Sequence, residues 1–123
     1  MGAVGGILSG MIAFYANMDA GYGAAMVPAI KQFLYSLLIG GSLVHLSQQI
    51  SISIENKLMA VLLGSIIPAI ITTVLITSIH LFKGTPNPFE TILYTTAPTP
   101  FGFFIVALFN RYRHDKKLQN VTR

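Results

Sequence analysis

One stretch of the sequence, residues 58–82, runs for 25 positions without an Asp, Glu, Lys or Arg. A surface helix of a soluble protein carries a polar face along its length. A helix that crosses about 30 Å of bilayer hydrocarbon instead needs about 20 consecutive apolar residues. The stretch therefore predicts a transmembrane helix. Three further stretches have the same character, so we expect an all-α, polytopic membrane protein.

Four transmembrane helices in a compact bundle are expected from these stretches. The predicted spans are residues 2–18, 24–49, 58–82 and 91–109, which form a transmembrane domain over residues 1–110. Residues 111–123 form a basic tail. Charged residues make up only 10% of the chain, against about 25% in ordinary globular proteins. With no room for a soluble domain, any site is expected within the membrane or at its edge.

The basic residues predict the orientation of the chain in the lipid bilayer. In a four-span topology, Lys57 and five basic residues of the tail share one side, while Lys83 lies on the other. Lys and Arg normally mark the cytoplasmic side. We therefore expect both termini in the cytoplasm and the protein in a bacterial inner membrane. The net charge of +4 is explained by this tail, so no nucleic-acid partner is expected.

A stripe of polar residues follows one face of the second predicted span. Its members are three or four positions apart, as residues on one helical face are, with Leu38 between them: Lys31, Tyr35, Ser42, His45 and Gln49. Hydrocarbon cannot satisfy polar groups, so the stripe is expected to face the bundle interior or a water-filled cavity. It could line a path for a substrate or ion, or it could join neighbouring helices by hydrogen bonds.

Lys31 is the most informative single residue of that stripe, because a charge inside a membrane helix is costly. It could bind an anionic group or pair with Asp19. Alternatively, its long side chain could carry the ammonium group to the outer interface.

A second polar face is predicted on the outer half of the third span, where Thr73, Thr77 and His80 are spaced at i, i+4 and i+7. A histidine near other charged groups is a plausible proton site, although such groups are also ordinary at a membrane interface. The three histidines lie on different segments, so no metal site is expected. The chain has no cysteine, which excludes disulfides and thiol chemistry.

The fourth span is expected to be kinked or broken, since Pro98 and Pro100 remove two helical donors near the membrane midplane. Freed carbonyls beside Thr95 and Thr99 could build an ion or substrate site. The threonine hydroxyls could equally repair a plain kink. A re-entrant segment over residues 91–100 is a further alternative.

Small residues recur every four positions in the first span, at Gly2, Gly6 and Gly10. Such a ridge lets another helix approach closely, and we expect it to be a self-association face. Between the second and third spans, isoleucine and serine alternate over residues 50–54. That period of two predicts a short extended segment.

Enzyme motifs are missing: the sequence has no Gly-x-Ser-x-Gly, no His-Glu-x-x-His and no phosphate-binding loop. We therefore expect a protein that is not an enzyme and needs no cofactor. The favoured hypothesis is an oligomer that lines a polar route for a small solute, ion or lipid headgroup. The alternative is an accessory or scaffolding subunit of a larger membrane complex.

Overall fold

The computed structural model describes residues 2–82 and 84–123, and all regular secondary structure within them is helical. Lys83, which entered the orientation argument, lies outside the described residues. The helices are α1 (Gly2–Tyr15), α2 (Tyr22–Tyr35), α3 (Gly41–Ser53), α4 (Lys57–Leu81), α5 (Pro88–Thr96) and α6 (Thr99–Val121). A 3-10 turn over Met18–Ala20 precedes α2, and a π-helical turn over Ser36–Gly40 joins α2 to α3. The predicted all-α class is confirmed.

Three apolar helical runs are long enough to cross a bilayer: Tyr22–Ser53, Lys57–Leu81 and Pro88–Val121. They correspond to the second, third and fourth predicted spans. Helix α1 has 14 residues, which is about 21 Å of helix, short of the about 30 Å of hydrocarbon. Its crossing of the membrane stays a prediction. Large apolar side chains such as Leu8, Ile70 and Ile105 are exposed around the molecule, which is compatible with membrane insertion.

Helix α4 is the central element, because it contacts α2, α3, α5 and α6. Helix α1 packs along α2 and also contacts α5, while α3 packs on α6. The apolar core lies between these helices and consists of Tyr35, Leu43, Ala69, Ile76 and Phe103.

The small-residue ridge of α1 packs against α2 of the same chain. A Cβ atom added to Gly6 would lie 3.1 Å from Cδ2 of Phe33, and one added to Gly10 would lie 3.1 Å from the carbonyl oxygen of Ala29. The two glycines therefore permit the close approach of the helices. Gly6 and Gly10 thus serve the packing of α1 on α2 within the chain, and the expected role of the ridge in self-association stays a prediction. Gly2 begins α1, and its packing lies outside what the structure describes.

The π-helical turn rotates α3 relative to α2. A π turn inserts one residue into the α-helical repeat, which shifts every later side chain by about 100° around the helix axis. Before the turn, the buried face contains Gln32 and Tyr35; after it, the buried face contains Leu43, Ser47 and Ser51. Residues spaced uniformly as in an α-helix across residues 31–49 therefore face the interior before the π-helical turn and point away from it after the turn.

Close packing of α3, α4 and α6 is centred on Gly64. Pro68 has no N–H group, so the carbonyl of Gly64, four residues earlier, lacks its helical donor. The Ser47 hydroxyl of α3 donates to that oxygen at 2.6 Å. A Cβ atom on Gly64 would lie 3.1 Å from both the Ala107 Cβ and the Ser47 carbonyl oxygen. Pro68 thus leaves a carbonyl oxygen that requires a donor, and the absence of a side chain at Gly64 lets Ser47 come close enough to supply it.

The predicted extended segment at residues 50–54 is wrong, because α3 continues through Ser53 and only Ile54 has extended backbone angles. The Ser51 and Ser53 hydroxyls donate to the Gln48 and Gln49 carbonyls of their own helix. Helical hydrogen bonds satisfy the backbone locally, whereas a lone extended segment has no partner strand. An alternation over only five residues is too short a pattern to overcome this preference for the helix.

The prolines of the fourth span lie where α5 gives way to α6. Helix α5 ends at Thr96 and α6 begins at Thr99, while Ala97 and Pro98 keep helical backbone angles. The carbonyl of Thr96, which loses its donor at Pro100, accepts a hydrogen bond from the Thr99 hydroxyl. The predicted kink itself stays a prediction. Helix α6 continues through the basic tail as far as Val121.

Candidate functional site

A buried histidine at the end of α4 is the centre of the candidate site. His80 is 1% exposed, its Nε2 lies 2.9 Å from Oε1 of Gln32 on α2, and its Nδ1 lies 3.2 Å from Oγ1 of Thr85 in the loop after α4. An amide oxygen only accepts hydrogen bonds, so the neutral imidazole donates through Nε2 and accepts from Thr85 at Nδ1. Both ring nitrogens are therefore engaged.

The ammonium group of Lys31 reaches the same threonine. Its Nζ lies 3.4 Å from Thr85 Oγ1 and 3.5 Å from the carbonyl oxygen of Ile79. Ile79 belongs to the last turn of α4, where a cation interacts favourably with the negative end of the helix dipole. Lys31, Gln32, His80 and Thr85 are hereafter called the His80 cluster.

A glycine shapes the loop that carries Thr85. Gly84 has φ of 103°, a conformation that residues with a Cβ rarely adopt. A Cβ atom at this position would also lie 3.1 Å from Cγ1 of Val27 and 3.9 Å from Nζ of Lys31. The loop therefore passes close over α2, which brings Thr85 within reach of both Lys31 and His80.

A second buried polar side chain, that of Asn17, links the end of α1 to the start of α5 by hydrogen bonds. Its Nδ2 donates to the Ala13 carbonyl at 2.8 Å and to Thr91 Oγ1 at 2.6 Å, and its Oδ1 accepts from the Asn87 backbone N–H at 2.7 Å. The Asn87 side chain in turn donates to the carbonyl of Ala16. These hydrogen bonds engage both polar atoms of the Asn17 side chain, so the arrangement links the two segments.

Of the five polar residues of the predicted stripe on α2 and α3, only the first two lie toward the interior, and Gln49 at its end is exposed. Tyr35 is 6% exposed and Lys31 is half-buried, whereas Ser42 and His45 are exposed. The phase shift at the π-helical turn is the physical reason for the split. Gln32, the direct partner of His80, was missed because a stripe that starts at Lys31 passes beside it.

Two buried hydroxyl groups lie further into the bundle than the His80 cluster. Tyr35 lies one turn from Gln32 along α2, and Thr72 lies two turns from His80 along α4. The Thr72 hydroxyl lies beside that of Tyr35, but neither hydroxyl has a hydrogen-bond partner of good geometry among the described residues. The two hydroxyls therefore form a buried polar pair between α2 and α4.

The predicted threonines are engaged mainly with their own helices. The Thr73 hydroxyl donates to the Ala69 carbonyl at 2.9 Å, and Thr95 donates to the Thr91 carbonyl at 2.6 Å. Thr73 is exposed, Thr77 and Thr99 are half-buried, and Thr95 is buried. Of the polar face predicted on the third span, only His80 joins the cluster.

The opposite end of the bundle carries an ionic network that the sequence did not indicate. Arg111 donates from Nη1 to the Ser51 carbonyl at 3.1 Å and from Nη2 to the Glu55 carbonyl at 2.9 Å. These contacts satisfy carbonyls at the end of α3. Asp115 lies 3.1 Å from Nε of Arg111 and 3.0 Å from Nζ of Lys57. The network joins α6 to the connection between α3 and α4.

Neither centre resembles a metal site, since no group of three His, Cys, Asp or Glu residues in the described ranges could hold an ion. No protein-family model matches the chain, and no curated protein or solved structure matches it either. The function therefore has to be inferred from the chemistry of the site.

Proposed function

We propose that this chain is a small, non-enzymatic integral membrane protein that lines a polar route for a small solute, ion or lipid headgroup. The observation that carries the proposal is the convergence of Lys31 and His80 on Thr85 at one end of the helical bundle. Ionisable side chains within membrane helices are costly, and they commonly mark the path of a substrate, ion or proton.

The chemistry of the cluster favours a small anion or a proton. Lys31 offers an ammonium group, and Thr85 offers a hydroxyl. The imidazole of His80 is a group that can accept or donate a proton. The buried hydroxyls of Tyr35 and Thr72, which lie beside each other, support a continuation of the route toward the middle of the membrane.

The orientation and assembly belong to the same proposal. The excess of basic residues in the tail supports cytoplasmic termini, with the His80 cluster toward the outer side of a bacterial inner membrane. A single chain of this size encloses little interior, so a complete route is expected to form between subunits of a homo-oligomer.

Flux measurements in liposomes test the proposal. We expect purified protein to raise proton or chloride flux, reported by trapped pH-sensitive and chloride-sensitive dyes, at least about tenfold above empty liposomes. Lys31→Met and His80→Leu should each return the flux to background. His45→Leu is the matched control, because His45 is exposed, and it should keep the full rate. Full flux in both cluster variants would remove the cluster from the mechanism.

An accessory role in a larger membrane complex is the second candidate. It is supported by an apolar groove of about 500 Å³ on the outside of α1 and α2, lined by residues such as Met11, Phe14, Met26 and Ile30. A partner helix would fit such a groove. Wild-type protein that gives no flux but co-purifies with another protein in fixed ratio, without crosslinking, would favour this candidate over transport.

A further inference from the structure

A second groove, between α4 and α6 at the opposite end from the His80 cluster, combines charged and apolar walls. It has a volume of about 360 Å³ and is lined by Lys57, Leu58, Val61, Phe104, Leu108, Arg111, Tyr112 and Asp115. We propose that this groove binds an anionic phospholipid, with the phosphate at Lys57 and one acyl chain along α6.

The charged end of the groove suits a phosphate group. The Lys57 side chain is 72% exposed, so its ammonium group can meet a ligand while keeping its contact with Asp115. The two cations Lys57 and Arg111 outnumber the single carboxylate of Asp115 in the lining. Tyr112, which is also exposed, lies at the same level, and tyrosine is enriched where membrane meets water.

The whole groove, from its charged end at Asp115 to its apolar end at Phe104, is about as long as one bilayer leaflet is thick. Along α6 the lining runs from Asp115 to Phe104, and 11 residues of helix rise about 16 Å. Half of the bilayer hydrocarbon is about 15 Å thick. Phe104 and Leu108 are 41% and 50% exposed, so their apolar surfaces are open to an acyl chain. A zwitterionic lipid would fit the same walls but would gain less from the net positive charge.

Fluorescence quenching by brominated lipids tests the site, because the chain contains no tryptophan. Leu108→Trp places a single reporter in the groove, and Ile105→Trp, at an exposed position of α6 outside the lining, is its control. Both are reconstituted in phosphatidylcholine that contains a small fraction of brominated phosphatidylglycerol. We expect quenching at position 108 to saturate at low mole fraction, whereas quenching at position 105 follows the bulk composition.

The contribution of the charge is tested in the Leu108→Trp background. Removing one basic residue at a membrane surface weakens anionic lipid association about fivefold, so Lys57→Gln should lower the relative affinity for phosphatidylglycerol by that factor. Lys116→Gln, outside the groove, should leave it unchanged. Brominated phosphatidylcholine should quench both reporters alike, and glycerol phosphate in solution should not displace the lipid.

Three results would overturn the assignment. The first is equal quenching at positions 108 and 105 by brominated phosphatidylglycerol. The second is an unchanged affinity in Lys57→Gln. The third is weaker quenching at position 108 than at position 105 with both lipids, which would mean that another protein segment covers the groove.

Discussion

At the scale of single residues, the carbonyl oxygen of Gly64 shows how a proline on one helix sets a requirement on another. Pro68 leaves this oxygen without its helical donor, and Ser47 supplies one at 2.6 Å. We expect Ser47→Ala to lower the free energy of unfolding by about 1–2 kcal/mol, since hydrogen bonds between membrane helices are worth about 0.6–2 kcal/mol. Circular dichroism during denaturation of the protein in detergent micelles measures the change.

Ser53→Ala provides the matched control for that experiment. The Ser53 hydroxyl donates to a carbonyl of its own helix at an exposed position, so its removal should change the stability by less than about 0.5 kcal/mol. Equal effects of the two substitutions would mean that the bond between α3 and α4 contributes nothing beyond a local contact.

The residues of the candidate site could be predicted only in part. Lys31, Tyr35 and His80 follow from the rule that polar groups in apolar helices face the interior. Gln32 and Thr85 could not be assigned, because the contacts of His80 with them depend on how α4 lies against α2 and on the path of the loop. The bond from Ser47 was accessible in principle: Pro68 identifies the freed carbonyl at Gly64, but nothing local identifies which serine faces it.

At the scale of helices, the close approach of α1 and α2 depends on glycine at positions 6 and 10. A Cβ atom on Gly10 would lie 3.1 Å from the backbone oxygen of Ala29, which cannot move independently of α2. We expect Gly10→Ala to lower the free energy of unfolding by about 1 kcal/mol, the lower end of overpacking costs. Thermal denaturation in detergent measures it, and the mass of the protein particle should stay constant.

Gly5→Ala is the control within the same helix, since a Cβ atom there would meet nothing within 4 Å. It should raise the stability by about 0.5–1 kcal/mol, because alanine is the better helix former. If Gly10→Ala instead dissociated an oligomer at unchanged stability, the ridge would be an interface between subunits.

The boundaries of the helices show where sequence patterns succeed and where they fail. The uncharged run at residues 58–82 located α4 to within one residue at each end, because lipid excludes charge along the whole span. The π-helical turn at Ser36–Gly40, by contrast, has no recognisable pattern in the sequence. It turns Ser42 and His45 outward, so that α2 packs mainly on α1 while α3 packs on α4 and α6.

At the scale of the whole molecule, the number of membrane spans depends on whether α1 crosses the bilayer together with the three longer helical runs. Its 14 residues are too few for an average bilayer, but a short helix can be accommodated by local thinning of the membrane. The chain has no cysteine, so single cysteines report on each connection without background. Exposed positions suit this purpose near both ends of the described chain and in the connections between the predicted spans: Ala3, Ala20, Glu55, Pro86 and Gln119.

Labelling of these single-cysteine variants with a membrane-impermeant maleimide gives the topology. In intact cells, Ala20→Cys and Pro86→Cys should react, while Glu55→Cys and Gln119→Cys should react only after lysis, because the basic tail is expected in the cytoplasm. A four-span protein places Ala3→Cys with the protected pair. Reaction of Ala3→Cys in intact cells would show that α1 stays on the outer side and that the bundle has three spans. A permeant maleimide should label all five variants, which separates protection by the membrane from burial within the protein.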